Sequence, residues 1–201
     1  MIVKVCGLTT RSELTRLPAL GPDFVGLIFV RSSPRYVGKL PFETPGSAIR
    51  IGVFRDAPTH EILREVERWK LGGVQLHGSE TAEQVAALKA EGLIVLKAIG
   101  INSEQDFAAC SHFAALPPDY FLFDTPGGGT GRAFDWSTLA AYEGETPFLL
   151  AGGIGPGAGS SLAEISHARF AGVDLNSRFE LEPGNKDFDT LDKFFRDELQ
   201  R

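Results

Sequence analysis

Cys6 is followed at once by Gly7, and Lys4 lies two residues before it. A cysteine here has two readings. It is a small apolar side chain packed in a core, or a thiolate that takes a proton, which requires an activating cation nearby. Residues two apart in a strand share a face, so Lys4 and Cys6 point the same way, and an interior ammonium there favours the thiolate. A lysine inside a fold needs a carboxylate partner, and Asp174 in "GVDLNSR" is the first candidate. Asp124 ends the apolar run "YFLFD" and precedes "TPGGGTG". To give a proton near neutral pH it needs a raised pKa, which burial or a second carboxylate supplies; from the residues alone it serves equally as a cap for the loop amides. Arg35, in "SSPRYV", offers a guanidinium fork that fits a carboxylate, although most arginines are solvated surface residues. His77, in "VQLHG", reads more readily as a structural histidine than as a catalytic one and is assigned only a peripheral, substrate-lining role. Two glycine-rich stretches complete the set. "PGGGTG", with Gly129 at its centre, reads as a mobile loop over the acid or as an ordinary connector. "GGIGPGAGSS" offers free backbone N–H groups at a helix start, a common phosphate site.

These residues need elements to position them. "IVKVC", "FVGLIFV", "IRIGVF", "GGVQLHG", "LIVLKAIG", "DYFLFDT", "PFLLAGG" and "AGVDLNS" are apolar runs of strand length, of the kind buried on both faces of a parallel sheet. Helical or helix-sized segments follow them. The first has Leu14, Leu17 and Leu20 on one side. "PFETPGS" is a poor helix broken by prolines. "PTHEILREVERWK" has Thr59 as its expected N-cap, and "SETAEQVAALKAEG" has Ser79 as N-cap and Gly92 as its stop. "NSEQDFAACSHFAAL", a short helix from about Trp136, "GAGSSLAEISHARF" and "KDFDTLDKFFRDELQ" complete the series. Eight such units predict a single (β/α)8 TIM barrel domain over residues 1–201. An open doubly wound sheet is the alternative. Gly153, Gly155 and Ala158 match a dinucleotide GxGxxA pattern, but a Rossmann unit needs more βα units after it than the one that remains. In a barrel the strands' C-terminal ends carry the active site, and Cys6, Arg35, "RDAP" after strand three, His77, Asp124 and the glycine-rich stretches fall at such ends.

Composition narrows the partners. The 201-residue chain is 43% hydrophobic and 23% charged with a net charge of −6, without the clustered Lys and Arg of a nucleic-acid surface. No apolar run approaches the roughly 18 residues of a membrane span, and the N-terminus enters a strand rather than a leader. The two cysteines, Cys6 and Cys110, form neither a disulfide framework nor a CxxC site. A cytoplasmic protein, monomer or homodimer, without nucleic-acid or membrane partners is the expectation.

The motifs "KVCGLT", "SPRYV", "VQLHG", "FDTPGGGTGRAFDW", "LAGGI" and "GVDLNSRFE", in this order and in register with the strands, resemble the phosphoribosylanthranilate isomerase family of tryptophan biosynthesis over residues 3 to about 180. The resemblance implies a (β/α)8 barrel that acts on a small phosphorylated substrate, without cofactor or metal. The reaction is the Amadori rearrangement of N-(5-phosphoribosyl)anthranilate to 1-(2-carboxyphenylamino)-1-deoxyribulose 5-phosphate. It further implies Cys6 as general base and Asp124 as general acid. Arg35 then engages the anthranilate carboxylate, and Gly152, Gly153 and the Asn176-Ser177-Arg178 turn hold phosphate. Gly129 and Asp174 join His77 as substrate-lining residues. One position departs from the family, which commonly has glycine where this chain has Arg178. The expectation is that only the Arg178 amide serves the phosphate, with the guanidinium turned outward to Glu180 or Glu182. Two alternative readings exist. The histidine-pathway isomerase of the same chemistry has two aspartates and two phosphate sites. A non-catalytic phosphate-binding barrel leaves Cys6, Lys4 and Asp124 unexplained.

Overall fold

A computed structural model describes residues 1–38, 46–126 and 134–200. Eight strands close into a parallel barrel in sequence order: β1 (Ile2–Cys6), β2 (Phe24–Ile28), β3 (Ile49–Phe54), β4 (Gly73–Leu76), β5 (Ile94–Gly100), β6 (Tyr120–Asp124), β7 (Phe148–Leu150) and β8 (Phe170–Leu175). Closure between β1 and β8 sets Lys4 beside Asp174. The open doubly wound alternative is thereby excluded.

Strand parity divides the apolar residues between two cores. Val3, Val5, Val25, Leu27, Val74 and Val95 face outward and pack against the surrounding helical layer. Phe24, Ile51, Leu96, Leu122 and Leu149 fill the barrel interior. Above them, towards the strands' C-terminal ends, Cys6 packs with Ile28 and Val53. Lys4 and Cys6 therefore share the interior face, as their spacing predicts.

The outer layer is less helical than the sequence suggests. Helix α1 (Arg11–Arg16) opens with a reciprocal cap between Thr10 and Glu13, then tightens into a 3-10 turn over Leu17–Leu20. Helix α2 (Thr59–Trp69) has Pro58, not Thr59, at its N-cap, and α3 (Ala82–Ala90) is capped by Thr81, not Ser79. Ser79 is drawn away because its amide donates to Asp56 Oδ1 at 2.6 Å. Gly92 ends that segment at a positive φ, as expected. Glu104–Phe113 and Trp136–Ala141 form 3-10 turns rather than α-helices, and α4 is only Gly159–Ala163. The final segment is α5 (Phe188–Lys193) continuing into a wider π-type turn. A two-stranded hairpin, β9 (Glu180–Glu182) with β10 (Asn185–Lys186), follows β8 and has no counterpart in the sequence reading. The stretch "PFETPGS" lies mostly, and Gly129 entirely, outside the described residues.

Two glycines admit side chains at the rim. A Cβ at Gly26 would lie 2.5 Å from Cys6 Sγ, so β2 makes room for the thiol by carrying no side chain there. Gly7 has φ +81, and a Cβ on it would lie 2.7 Å from Asn176 Oδ1 and 2.9 Å from Arg35 Cδ. Both conformation and close approach demand glycine. Gly26→Ala is expected to cost about 1–3 kcal/mol by overpacking, read by chemical denaturation. Adding Cys6→Ala to it should recover a large part of the loss. Strictly additive losses would show that the thiol is not what the methyl strikes.

Candidate active site

A cavity of about 430 Å³ opens at the C-terminal ends of the strands, within the size range of small-molecule sites. Cys6, Arg35, His77, Asp124, Gly152, Gly153, Asp174, Asn176 and Ser177 all line it. The closed barrel thus brings together residues from six of its strand ends, spread over some 170 positions of the chain.

Lys4 is fully buried and donates to Asp174 Oδ2 at 2.9 Å. Burial opposes its charge, but Asp174 and then Cys6 outweigh that effect and raise its pKa. Asp174 Oδ1 is buried and has no hydrogen-bond partner among the described residues. The expectation that Lys4 activates Cys6 requires correction in degree. Burial pushes the Cys6 thiol above its usual value of 9.0; Lys4 pulls down, and Asp174 pushes up again. Because Lys4 is already paired with Asp174, it offsets only part of the burial, and the resting group is a thiol.

Asp124 is pushed up to about 6, first by burial and then by the Asp174 charge, while the Thr125 amide and Lys4 pull the other way. That amide donates to Asp124 Oδ1 at 2.7 Å. The loop-capping and proton-donating readings of Asp124 are therefore compatible: one oxygen is held by the loop and the other faces the cavity side of His77. His77 Nε2 lies 3.8 Å from Asp124 Oδ2, and its Nδ1 lies 3.0 Å from the Gln75 amide nitrogen. An amide N–H donates, so Nδ1 accepts and the ring proton sits on Nε2, towards Asp124. Burial, with Lys4 and Lys97 behind it, lowers His77 to about 4, so the ring is neutral at physiological pH.

The loop after β4 that carries His77 is fixed from below. Glu80 accepts from the Asp56 and Gly78 amides and from Lys97 Nζ at 3.1 Å. Lys97 also donates to the Gly78 carbonyl at 2.8 Å. Both charges are almost wholly buried, so the pair fixes geometry more than it adds stability.

Arg35 reaches the cavity with a partner already in place. Its Nε and Nη2 donate to both oxygens of Glu180 at 2.7–3.0 Å. Glu180, one of the two carboxylates expected to receive an outward-turned Arg178, is instead held by Arg35 and Lys186. Arg178 is exposed, is not among the cavity's lining residues, and lays its stem over Gly155.

The glycine stretch also needs revision. At the start of α4, the Gly157 and Gly159 amides donate to the Glu198 carboxylate at 2.8–3.0 Å. The protein's own C-terminal segment therefore occupies the donors that the sequence suggested for phosphate. Gly152 and Gly153, both with positive φ, and the turn that opens at Asn176-Ser177 are the parts of the two loops that reach the cavity. Together they form the loops after strands seven and eight, the usual phosphate position in this architecture.

Sequence reasoning missed Gln75 and Lys186; it placed Arg55, in "RDAP", at the rim without a role and named Glu180 only as a partner for Arg178. Gln75 was recoverable, because a polar residue two before His77 in an apolar strand must share its face. Glu180 and Lys186 gave no such signal, since the hairpin that carries them was not foreseen. Among the described residues, no three His, Cys, Asp or Glu side chains are grouped to hold a metal ion, and no helix is long and apolar enough to cross a membrane.

Comparison with known proteins agrees with this geometry. The family model for N-(5'-phosphoribosyl)anthranilate isomerase matches residues 3–197. A protein of that name from Parabacteroides distasonis is 40% identical over 98% of this chain and 92% of its own length. One from Phocaeicola vulgatus is 43% identical over 93% and 92%. Among solved structures, a phosphoribosylanthranilate isomerase in complex with reduced 1-(o-carboxyphenylamino)-1-deoxyribulose 5-phosphate superposes over all of both chains, with a TM-score of 0.85 at 30% identity. Monomers of the dimeric enzyme from Thermotoga maritima superpose with a TM-score of 0.82, also at 30% identity over the whole of both chains. With a parallel barrel, a cavity at its C-terminal rim and relatives of this identity over nearly its whole length, the chain belongs to the phosphoribosylanthranilate isomerase family.

Proposed function

We propose that the chain, as a single barrel domain, carries out the Amadori rearrangement of N-(5-phosphoribosyl)anthranilate by general acid–base catalysis, with Asp124 as acid and Cys6 as base. The observation that carries the proposal is that both line one cavity, with Asp124 raised to about 6. Protonated Asp124 gives its proton to the ring oxygen of the ribose, and the C1–O bond breaks to leave a Schiff base. The Cys6 thiolate then takes the proton from C2, and the electron pair of that bond forms the enolamine. One proton returns from Cys6 to Asp124 to reset the site. Arg35 receives the anthranilate carboxylate, and the Gly152-Gly153 and Asn176-Ser177 loops receive the phosphate, with the Arg178 backbone beside them. Asp174 Oδ1 and Gln75 Oε1, buried acceptors without partners among the described residues, suit the sugar hydroxyls. His77, neutral with its proton on Nε2, suits a donor role beside Asp124. Gly129 belongs to the same reading by resemblance alone. A cytoplasmic monomer or homodimer, free of nucleic acid and membrane, remains the cellular reading.

The resting pKa order is opposite to the roles: Asp124 gives up its proton before Cys6 does. With one proton on the pair, the form with Asp124 protonated and Cys6 ionised is the minor one. The kcat/KM profile should therefore rise through about pH 6, hold a plateau, and fall only above the ordinary thiol value of 9.0. A rate that declines steadily between these two limits would instead mean that Cys6 is already ionised in the free enzyme.

Cys6→Ser and Asp124→Asn should each keep the fold and lose roughly 10²–10⁴ in turnover, followed by loss of substrate fluorescence. Near wild-type kcat in either variant would remove that residue from the mechanism.

Asp124→Asn should also stabilise the fold. A carboxyl raised from 3.8 to about 6 holds its proton more tightly folded than unfolded, so stability falls as pH rises through that window. The amide removes this penalty, so at pH 7.5 a gain of about 1–3 kcal/mol is expected. It should vanish below pH 3.8. Urea titrations at both pH values check it, and an equal gain at both would assign the effect to something other than ionisation.

A further inference from the structure

Glu180 and Lys186 stand beyond the barrel strands, on β9 and β10, yet their charged ends reach Arg35 and Asn176, which line the cavity. Glu180 Oε1 accepts from Arg35 Nε at 3.0 Å, from Lys186 Nζ at 2.8 Å and from the Gly184 amide at 3.2 Å. Its Oε2 accepts from Arg35 Nε at 2.9 Å and Nη2 at 2.7 Å. Lys186 spends its other hydrogens on Asn176, on Oδ1 at 2.8 Å and on the carbonyl at 3.3 Å. The side chains of Arg35, Glu180 and Lys186 are 11%, 3% and 0% exposed. The hairpin is itself pinned to the loop after β1 and to helix α1. There the Lys186 amide donates to Glu13 Oε1 at 2.9 Å and Thr9 Oγ1 to the Gly184 carbonyl at 2.7 Å.

A guanidinium held along its Nε–Nη2 edge cannot swing without breaking those bonds. Its outer edge, at Nη1, has no protein partner among the described residues, and Arg35 lines the cavity. Two cations against one carboxylate leave a net positive charge at this end of the site, enough to attract an anion. Burial works against the Glu180 charge, but the Arg35 and Lys186 bonds outweigh it and hold the carboxyl below its ordinary range. Glu180 therefore stays ionised, and its charge orients Arg35 at some expense in raw attraction. Without it, two cations share a nearly dry pocket, and the shortest relief is for Arg35 to turn out to water.

We propose that Glu180, braced by Lys186, is a positioning residue that aims the outer edge of Arg35, so that the site selects a ligand whose aromatic ring bears a carboxylate. Through Asn176, the same lysine ties that end of the site to the phosphate loops. The proposal rests on the reading of Arg35 as the carboxylate clamp, and the experiment separates the two. The probes are the reduced product and its counterpart lacking the ring carboxylate, titrated by calorimetry into wild type, Arg35→Met, Glu180→Gln and Glu180→Asp. Wild type should prefer the carboxylated ligand. In both Glu180 variants the preference should shrink by roughly tenfold or more, while affinity for the counterpart stays within about threefold, since only the bidentate contact is lost. Should Glu180→Gln fail to fold, Glu180→Asp, which keeps the charge but not the reach, decides. An unchanged or larger preference in the Glu180 variants, with the preference lost in Arg35→Met, overturns the positioning role and leaves the clamp. Equal loss for both ligands in the Glu180 variants overturns it in favour of a purely structural role. A wild-type preference retained in Arg35→Met removes the clamp, and the proposal with it.

Discussion

The ion pair between Lys4 and Asp174 joins the first and last strands of the barrel, directly below the thiol of Cys6. Two charges buried at this depth lose hydration that their mutual attraction barely restores. Packing alone would favour apolar residues there. What the pair supplies is a fixed field in the floor of the cavity. The Asp174 charge contributes to raising Asp124, and the Lys4 charge restrains the upward shift of Cys6. One interaction at the closure seam thus acts on both members of the proposed acid–base pair.

Around that floor, charged residues are held by other charged residues rather than by water. Glu180 stands between Arg35 and Lys186, and Glu80 between Lys97 and the amides of the loop that carries His77. Each network is buried and nearly saturated, so each acts as a rigid support whose partial loss would leave an uncompensated charge. The strands bring the reacting groups to one rim, and these networks set their angles. Two glycines, Gly26 and Gly7, leave the space in which Cys6, Arg35 and Asn176 can meet.

The site also shows a compromise between stability and chemistry. A buried carboxyl near neutral pKa, an unpartnered oxygen on Asp174 and a thiol raised by burial are all unfavourable in a resting fold. In the proposed reaction their partners arrive with the substrate: hydroxyls for the orphaned acceptors and a ring oxygen for the acid.

Much of this was legible in the chain itself. Alternating apolar runs and helix-sized segments specified eight βα units, because a strand buried on both faces must be apolar throughout. The period of two placed Lys4 with Cys6 on the interior face. Motif order identified the family and pointed to the residues proposed to carry its chemistry, and Lys4 could be matched to Asp174 because a buried ammonium requires a carboxylate. Tertiary structure alone decided the rest. Which donors remain for a ligand depends on what the fold has already satisfied: Glu198, some 40 positions away, takes the Gly157 and Gly159 amides, and Glu180 is claimed by Arg35 and Lys186 rather than by its near neighbour Arg178. The pKa order of Cys6 and Asp124 likewise depends on burial and on distances across the barrel. Local pattern fixes which face a side chain takes, whereas its partner and its charge depend on residues that only closure of the barrel brings near.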